Sequence, residues 1–167
     1  MKLFDRLGKL RDRRRPYCTM IVPAAGESRR MGGGNKLLLP LEGEPVLAHT
    51  LRAIDAATLV DEIILSTRTE CLTEMAELCR RCGLQKPVRV VVGGETRTHS
   101  VLAAALEANE KARLIAVHDG ARPLIRPEQI DELIRFGERT VKLEVLQVAD
   151  NVGKADAAAL YRELKNN

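Results

Sequence analysis

Thr19–Lys36 reads TMIVPAAGESRRMGGGNK, and this stretch decides the fold. Its first five residues, Thr19–Pro23, form a short apolar strand that runs straight into Ala24, Ala25 and Gly26. Small side chains let a ligand approach the backbone, and consecutive N–H groups in such a turn can cradle an anion. Arg29, Arg30 and Lys36 then set cations around the glycine arch Gly32–Gly34. Several donors combined with charge neutralisation suit a triphosphate. The loop is not a Walker loop, because Lys36 follows Asn35 and precedes Leu37, and it does not fit the dinucleotide G-x-G-x-x-G pattern.

Outward from that loop, strand and helix patterns alternate. The spacing of Val46, Leu47, Thr50, Leu51 and Ile54 predicts a helix over Pro45–Ala57, and Asp61–Ser66 reads as a second strand. Glu70–Cys82 is predicted helical and closed by Gly83, and Val88–Val92 is a third strand ending at Gly93-Gly94. Alanine-rich Ser100–Asn109 is predicted helical, Arg113–Val117 a fourth strand, and Pro127–Glu138 a helix opened by its proline. Val141–Val148 is read as a fifth, half-buried strand on the same sheet, with a helix over Ala155–Leu164 covering one face. Apolar strands alternating with amphipathic helices imply an α/β fold with a parallel sheet covered on both faces. Ligands of such sheets bind at the carboxyl ends of the strands, here the loops 23–36, 93–100 and 118–123.

Composition narrows the function classes. The chain has 167 residues, one domain's worth, and no apolar run long enough to span a membrane. Aromatics are 2%, which removes the stacking platforms of single-strand nucleic-acid binders. The net charge of +4 is local: residues 1–16 carry seven basic and two acidic side chains, a net +5, which leaves −1 for residues 17–167. A basic N-terminal extension, 1–16, is therefore expected ahead of a near-neutral domain, 17–167, and no nucleic-acid partner is expected. The extension places Leu3, Phe4, Leu7 and Leu10 at helical spacing, and it is read as a solvated leader rather than a signal or transit peptide.

Cys71, Met75, Leu78, Cys79 and Cys82 fall on one helical face, so the C-x-x-C pair reads as buried thiols and not as half a zinc site. His49 reads as structural. His118 and Asp119 point to opposite faces of a strand end and are not expected to share a metal. Arg97 reads as an exposed loop arginine.

The order P-A-A-G, R-M, three glycines and N-K resembles the signature of sugar- and polyol-phosphate nucleotidylyltransferases. Gly93–Val101 (GGETRTHSV) and Val117–Pro123 (VHDGARP) narrow the resemblance to the 2-C-methyl-D-erythritol 4-phosphate cytidylyltransferase family, collinear from about Tyr17 to Arg139. It implies a Rossmann-like three-layer nucleotidyltransferase fold with a mainly parallel sheet and an abbreviated C-terminal part. It also implies cytidylyl transfer from CTP to methylerythritol phosphate with release of pyrophosphate, in non-mevalonate isoprenoid synthesis. By the same resemblance Arg30 and Lys36 are the catalytic cations, and Ala24, Ala25 and Gly26 lie along the nucleotide. Gly94, Glu95 and Ser100 surround the cytosine and ribose. Asp119 belongs to the CTP site near the metal, and Arg122 faces the polyol phosphate. Mg²⁺ is expected mainly on the CTP phosphates, with no dedicated protein metal site. A cytoplasmic homodimer is implied, although the family's exchange arm is not recognisable here.

Two departures qualify the resemblance. Glu95 stands where the family often has Asp. After Arg139 the family's later motifs are missing, and Asn151 in Asp150–Lys154 stands where threonine is usual, so 141–167 is read as divergent. Two alternatives stay open: a CTP-binding module without turnover, and a cytidylyltransferase for ribitol 5-phosphate.

Overall fold

The structure, a computed structural model, describes residues 15–26, 35–136, 142–145 and 161–164. Strand β1 (Tyr17–Pro23) is followed by a 3-10 turn (Lys36–Leu38), a hairpin of β2 (Pro40–Leu41) and β3 (Glu44–Pro45), and helix α1 (Val46–Ala56). Next come β4 (Glu62–Thr67), a 3-10 turn (Thr69–Cys71) and α2 (Leu72–Arg81), then β5 (Val88–Val92) and α3 (Arg97–Leu106). The chain continues through β6 (Ala112–Val117), α4 (Pro127–Phe136), β7 (Lys142–Val145) and β8 (Tyr161–Leu164).

β5, β4, β1 and β6 lie side by side in that order, and every pairing among them is parallel. The chain builds outward from β1 to β4 and β5, then returns to the far side of β1 for β6. That reversal is the switch point at which such sheets open a ligand crevice. Both faces are packed. Met20, Val22, Ile63 and Leu65 meet Leu47 and Leu51 of α1, Met75 and Leu78 of α2, and Ile130 and Ile134 of α4. On the other face Ile21 and Ile64 meet Ala104 and Val101 of α3. Each large apolar side chain so buried stabilises the fold by roughly 1.5–3 kcal/mol. The expected three layers are therefore present, and the interior strands β1 and β4 carry the continuous burial that the apolar runs predicted.

The sheet is fastened at its amino end by buried charge. Glu62 accepts hydrogen bonds from Thr19 Oγ1 at 2.5 Å and from the Asn109 N–H at 2.7 Å. Arg15 donates to both oxygens of Asp61 at 2.8 Å and to the carbonyl of Leu59. Asp131 of α4 accepts from the N–H groups of Thr58 and Leu59 and from the Thr58 hydroxyl.

β6 is an edge strand among the described residues, and its Arg113, Ile115 and Val117 side chains are exposed. An exposed apolar edge of this kind favours pairing with another chain. Cys71 and Cys79 are buried, Cys82 is half-buried, and all are free thiols; burial raises the Cys79 thiol to about 11. His49 is tied to the Leu41 carbonyl at 2.9 Å, a structural contact with the hairpin.

Three element readings need correction. Helix α3 begins at Arg97, not Ser100, because Thr96 caps it. Val141–Val148 does not add to the parallel sheet: its described part, β7, pairs antiparallel with β8 in a separate two-stranded sheet. The helix expected over Ala155–Leu164 is contradicted where described, since Tyr161–Leu164 is that partner strand. Ala-rich composition favours a helix locally, but pairing with 142–145 decides the conformation. The molecule divides into two compact units between Ile134 and Arg135, and the β7–β8 pair belongs to the second. Residues 1–14 of the extension and the rest of 141–167 lie outside the described residues.

Candidate functional site

The carboxyl end of β4 gathers the loops. The Ala24 N–H donates to the Ser66 carbonyl at 2.7 Å, and the Gly93 N–H donates to the Thr67 carbonyl at 2.7 Å. Each bond carries a ladder one step past the end of its neighbouring strand. The small residues after β1 and the diglycine after β5 are thereby brought toward each other. A Cβ on Gly93 would stand 3.1 Å from the Ala25 Cβ and 2.8 Å from Ser100 Oγ, so glycine is needed for this approach.

The start of α3 completes that corner. Thr96 is its N-cap, and its hydroxyl accepts from the His99 N–H at 3.1 Å. A threonine immediately before the helical run is a recognised start signal. The polar residues Arg97–His99 carry no apolar periodicity, so the hydrophobic pattern alone begins the helix at Ser100. Ser100 is fully buried, and its hydroxyl lies 3.1 Å from the Gly94 carbonyl and 2.9 Å from the Thr96 carbonyl. A Cβ on Gly94 would collide with His99, including its backbone. Gly94→Ala is therefore expected to push the first turn of α3 outward, costing roughly 1–3 kcal/mol of stability. Thermal unfolding of the variant beside the wild type measures this cost. An unshifted unfolding curve would show that the turn absorbs the methyl group.

The end of β6 supplies the opposite wall. The His118 N–H continues the ladder to the Ile21 carbonyl at 2.9 Å, and the next turn is held against α1 by Thr50 Oγ1 donating to the Gly120 carbonyl at 2.9 Å. Gly120 also packs closely against Leu37, Leu47 and Val22. Leu37 is the buried residue of the 3-10 turn, where Asn35 Oδ1 accepts from the Leu37 N–H at 3.1 Å. Exposed Lys36 and the 118–122 turn are thus anchored through adjoining residues.

Asp119 lies between two guanidiniums. Arg97 from α3 reaches its Oδ1 at 2.7 Å, and Arg122 Nε donates to its Oδ2 at 3.1 Å. Burial pushes the Asp119 carboxyl up, but the Arg122 hydrogen bond and the charges of Arg97 and Arg122 outweigh it and hold the group below its ordinary value. Burial lowers His118 below the usual histidine value, and its Nδ1 is buried without a hydrogen-bond partner.

Of the residues singled out in the sequence, Ala24, Ala25, Gly26, Gly94, Glu95, Asp119 and Arg122 lie in loops that follow strands of the parallel sheet, Lys36 opens the 3-10 turn and Ser100 stands in the first turn of α3. Arg30 lies outside the described residues. Arg97 is exposed, as the sequence predicts, but it stands in the first turn of α3 rather than in a loop, and it pairs with Asp119. Among the described residues no group of three or more His, Cys, Asp and Glu side chains converges to hold a metal ion.

A parallel sheet with small-residue and cationic loops at its carboxyl edge defines a nucleotidyltransferase-type α/β domain. A crystal structure of 4-diphosphocytidyl-2C-methyl-D-erythritol synthase from Anaerococcus prevotii superposes with a TM-score of 0.65 at 21% identity, covering 90% of this chain and 68% of that one. Rv0371c from Mycobacterium tuberculosis, solved in complex with manganese, has a TM-score of 0.54 at 24% identity over 76% of this chain and 62% of its own. The family profile of 2-C-methyl-D-erythritol 4-phosphate cytidylyltransferase matches residues 18–165, and the chain belongs to that family. The enzyme of that name from Bacillus pumilus is 40% identical over 151 residues, 89% of this chain and 66% of its own length. The chain spans 64–66% of the length of the first curated relatives it matches. No helix among the described residues is long and apolar enough to cross a membrane.

Proposed function

We propose that the chain transfers a cytidylyl group from CTP to 2-C-methyl-D-erythritol 4-phosphate and releases pyrophosphate, a step of non-mevalonate isoprenoid precursor synthesis. The observation that carries this reading is the meeting of the Ala24–Gly26, Gly93–Ser100 and Asp119–Arg122 segments at one end of the sheet, in a chain of this family. Ala24, Ala25 and Gly26 lie along the nucleotide. Gly94, Glu95 and Ser100 face cytosine and ribose, whose opposed donor and acceptor edge suits fixed backbone groups.

A phosphate oxygen of the polyol attacks the α-phosphorus of CTP. The bond to the bridging oxygen breaks, and pyrophosphate leaves with that electron pair. Both reactants are anions, so the barrier is repulsion plus charge growing on the equatorial oxygens. Arg30 and Lys36 neutralise that charge without a covalent intermediate, and Arg122 binds the polyol phosphate. Mg²⁺ would be held mainly by the CTP phosphates, with Asp119, whose two oxygens are engaged by Arg97 and Arg122, near it. When bound, the cation supplies charge neutralisation. The manganese in the mycobacterial fold relative is in keeping with a divalent ion. A homodimer in the cytoplasm completes the reading.

The test is calorimetric titration with CTP and Mg²⁺, followed by a pyrophosphate-release assay with methylerythritol phosphate and with ribitol 5-phosphate. Binding and release with methylerythritol phosphate are expected. Release with ribitol 5-phosphate alone reassigns the substrate, binding without release supports a CTP-binding module, and no binding overturns all three readings.

A further inference from the structure

A carboxylate that offers both oxygens to one arginine closes a bidentate fork, the strongest common form of this ion pair. At Asp119 that closure does not occur, because the two oxygens are divided between Arg97 and Arg122. The two partners are rooted very differently. Arg97 stands in the first turn of α3, which is fixed by the Thr96 cap and by buried Ser100. Arg122 reaches Asp119 from three residues away in the same turn, with its side chain 71% exposed and its bond the longer one.

We propose that Arg97 is a positioning residue: by occupying one oxygen of Asp119 it keeps Arg122 singly bonded and displaceable by the phosphate of the second substrate. This rests on the proposed transfer reaction, in which Arg122 binds the polyol phosphate. Without Arg97, Oδ1 is open to the Nη group of Arg122, the fork closes, and incoming phosphate must break two charge-assisted bonds rather than one. Arg97 also links the cytosine loop to the phosphate end of the site, since it belongs to the segment that places Gly94 and Ser100. A purely structural staple would behave otherwise. Its loss would loosen the start of α3 and weaken CTP binding first.

The experiment compares the full chain with Arg97→Gln and Arg97→Lys. Three quantities are read: CTP affinity by calorimetry, KM for methylerythritol phosphate by pyrophosphate release, and solvent exchange of the Arg122 Nε proton by NMR without substrates. Arg97→Gln should raise that KM about tenfold, the factor of one charge-assisted bond, and leave CTP affinity within about twofold. It should also slow the Arg122 exchange, and Arg97→Lys, which still engages Oδ1, should restore both values. An unchanged KM, or a CTP affinity that falls in step with it, overturns the proposal. If the wild-type chain releases no pyrophosphate, the transfer reading fails instead. The Arg122 exchange then decides alone: slowing in Arg97→Gln supports the positioning role, and no change refutes it.

Discussion

Lys36→Ala is expected to slow pyrophosphate release by about 10²–10³-fold, the loss seen when one preorganised charge-stabilising donor is removed from a reacting centre. The side chain is exposed and packs nothing into the core, whereas its neighbour Leu37 is buried and anchors the turn. Truncating Lys36 therefore leaves the hydrophobic clusters intact, and unfolding should shift by no more than about 0.5 kcal/mol. On the proposed mechanism CTP affinity should weaken much less than turnover, because the charge that Lys36 would oppose grows most in the transition state. Single-turnover pyrophosphate release and a melting curve on one sample check both halves of the expectation. Turnover near wild type would remove Lys36 from the catalytic role and, with it, the main support for the transfer mechanism.

The parts of this site that were legible in the sequence are those that local chemistry specifies. β1 could be read because an apolar run meets Pro23-Ala24-Ala25-Gly26, and β5 because a valine-rich run meets Gly93-Gly94. Gly83 marks the end of α2 because its positive φ of 64° favours glycine. The β2–β3 hairpin escaped notice because two-residue strands carry no periodicity, although Glu42-Gly43 with φ of 51° and 84° is a turn of the type hairpins use. The Arg97–Asp119 pair was beyond sequence reading for a different reason. The two residues follow opposite edge strands, and only the order of the sheet and the placement of α3 bring them together. The β8 strand failed similarly, since its conformation depends on a partner about twenty residues earlier and not on its own composition.

The second large effect falls on stability, at the other end of β4. Glu62→Ala is expected to destabilise the fold by about 3 kcal/mol, because it strands the Thr19 hydroxyl and the Asn109 N–H inside the protein. Glu62 is almost fully buried, and its other oxygen lies 4.0 Å from half-exposed Arg89. In a domain of this size that loss lowers the melting temperature by roughly 10 °C. Glu62→Gln keeps an acceptor for both donors and loses only the attraction to Arg89, so it should cost clearly less than the alanine change. An alanine variant that melts within a degree or two of wild type would show that water replaces the carboxylate. CTP affinity of the folded protein should not change in either variant, since Glu62 and the loop-gathering Thr67 stand at opposite ends of a strand roughly 16 Å long. The contrast with Lys36 is physical. At the amino end the charge is buried and saturated with partners, so its removal costs folding. At the carboxyl end Lys36 is exposed at the surface, so on the proposed reaction its removal is expected to slow turnover and to leave the fold standing.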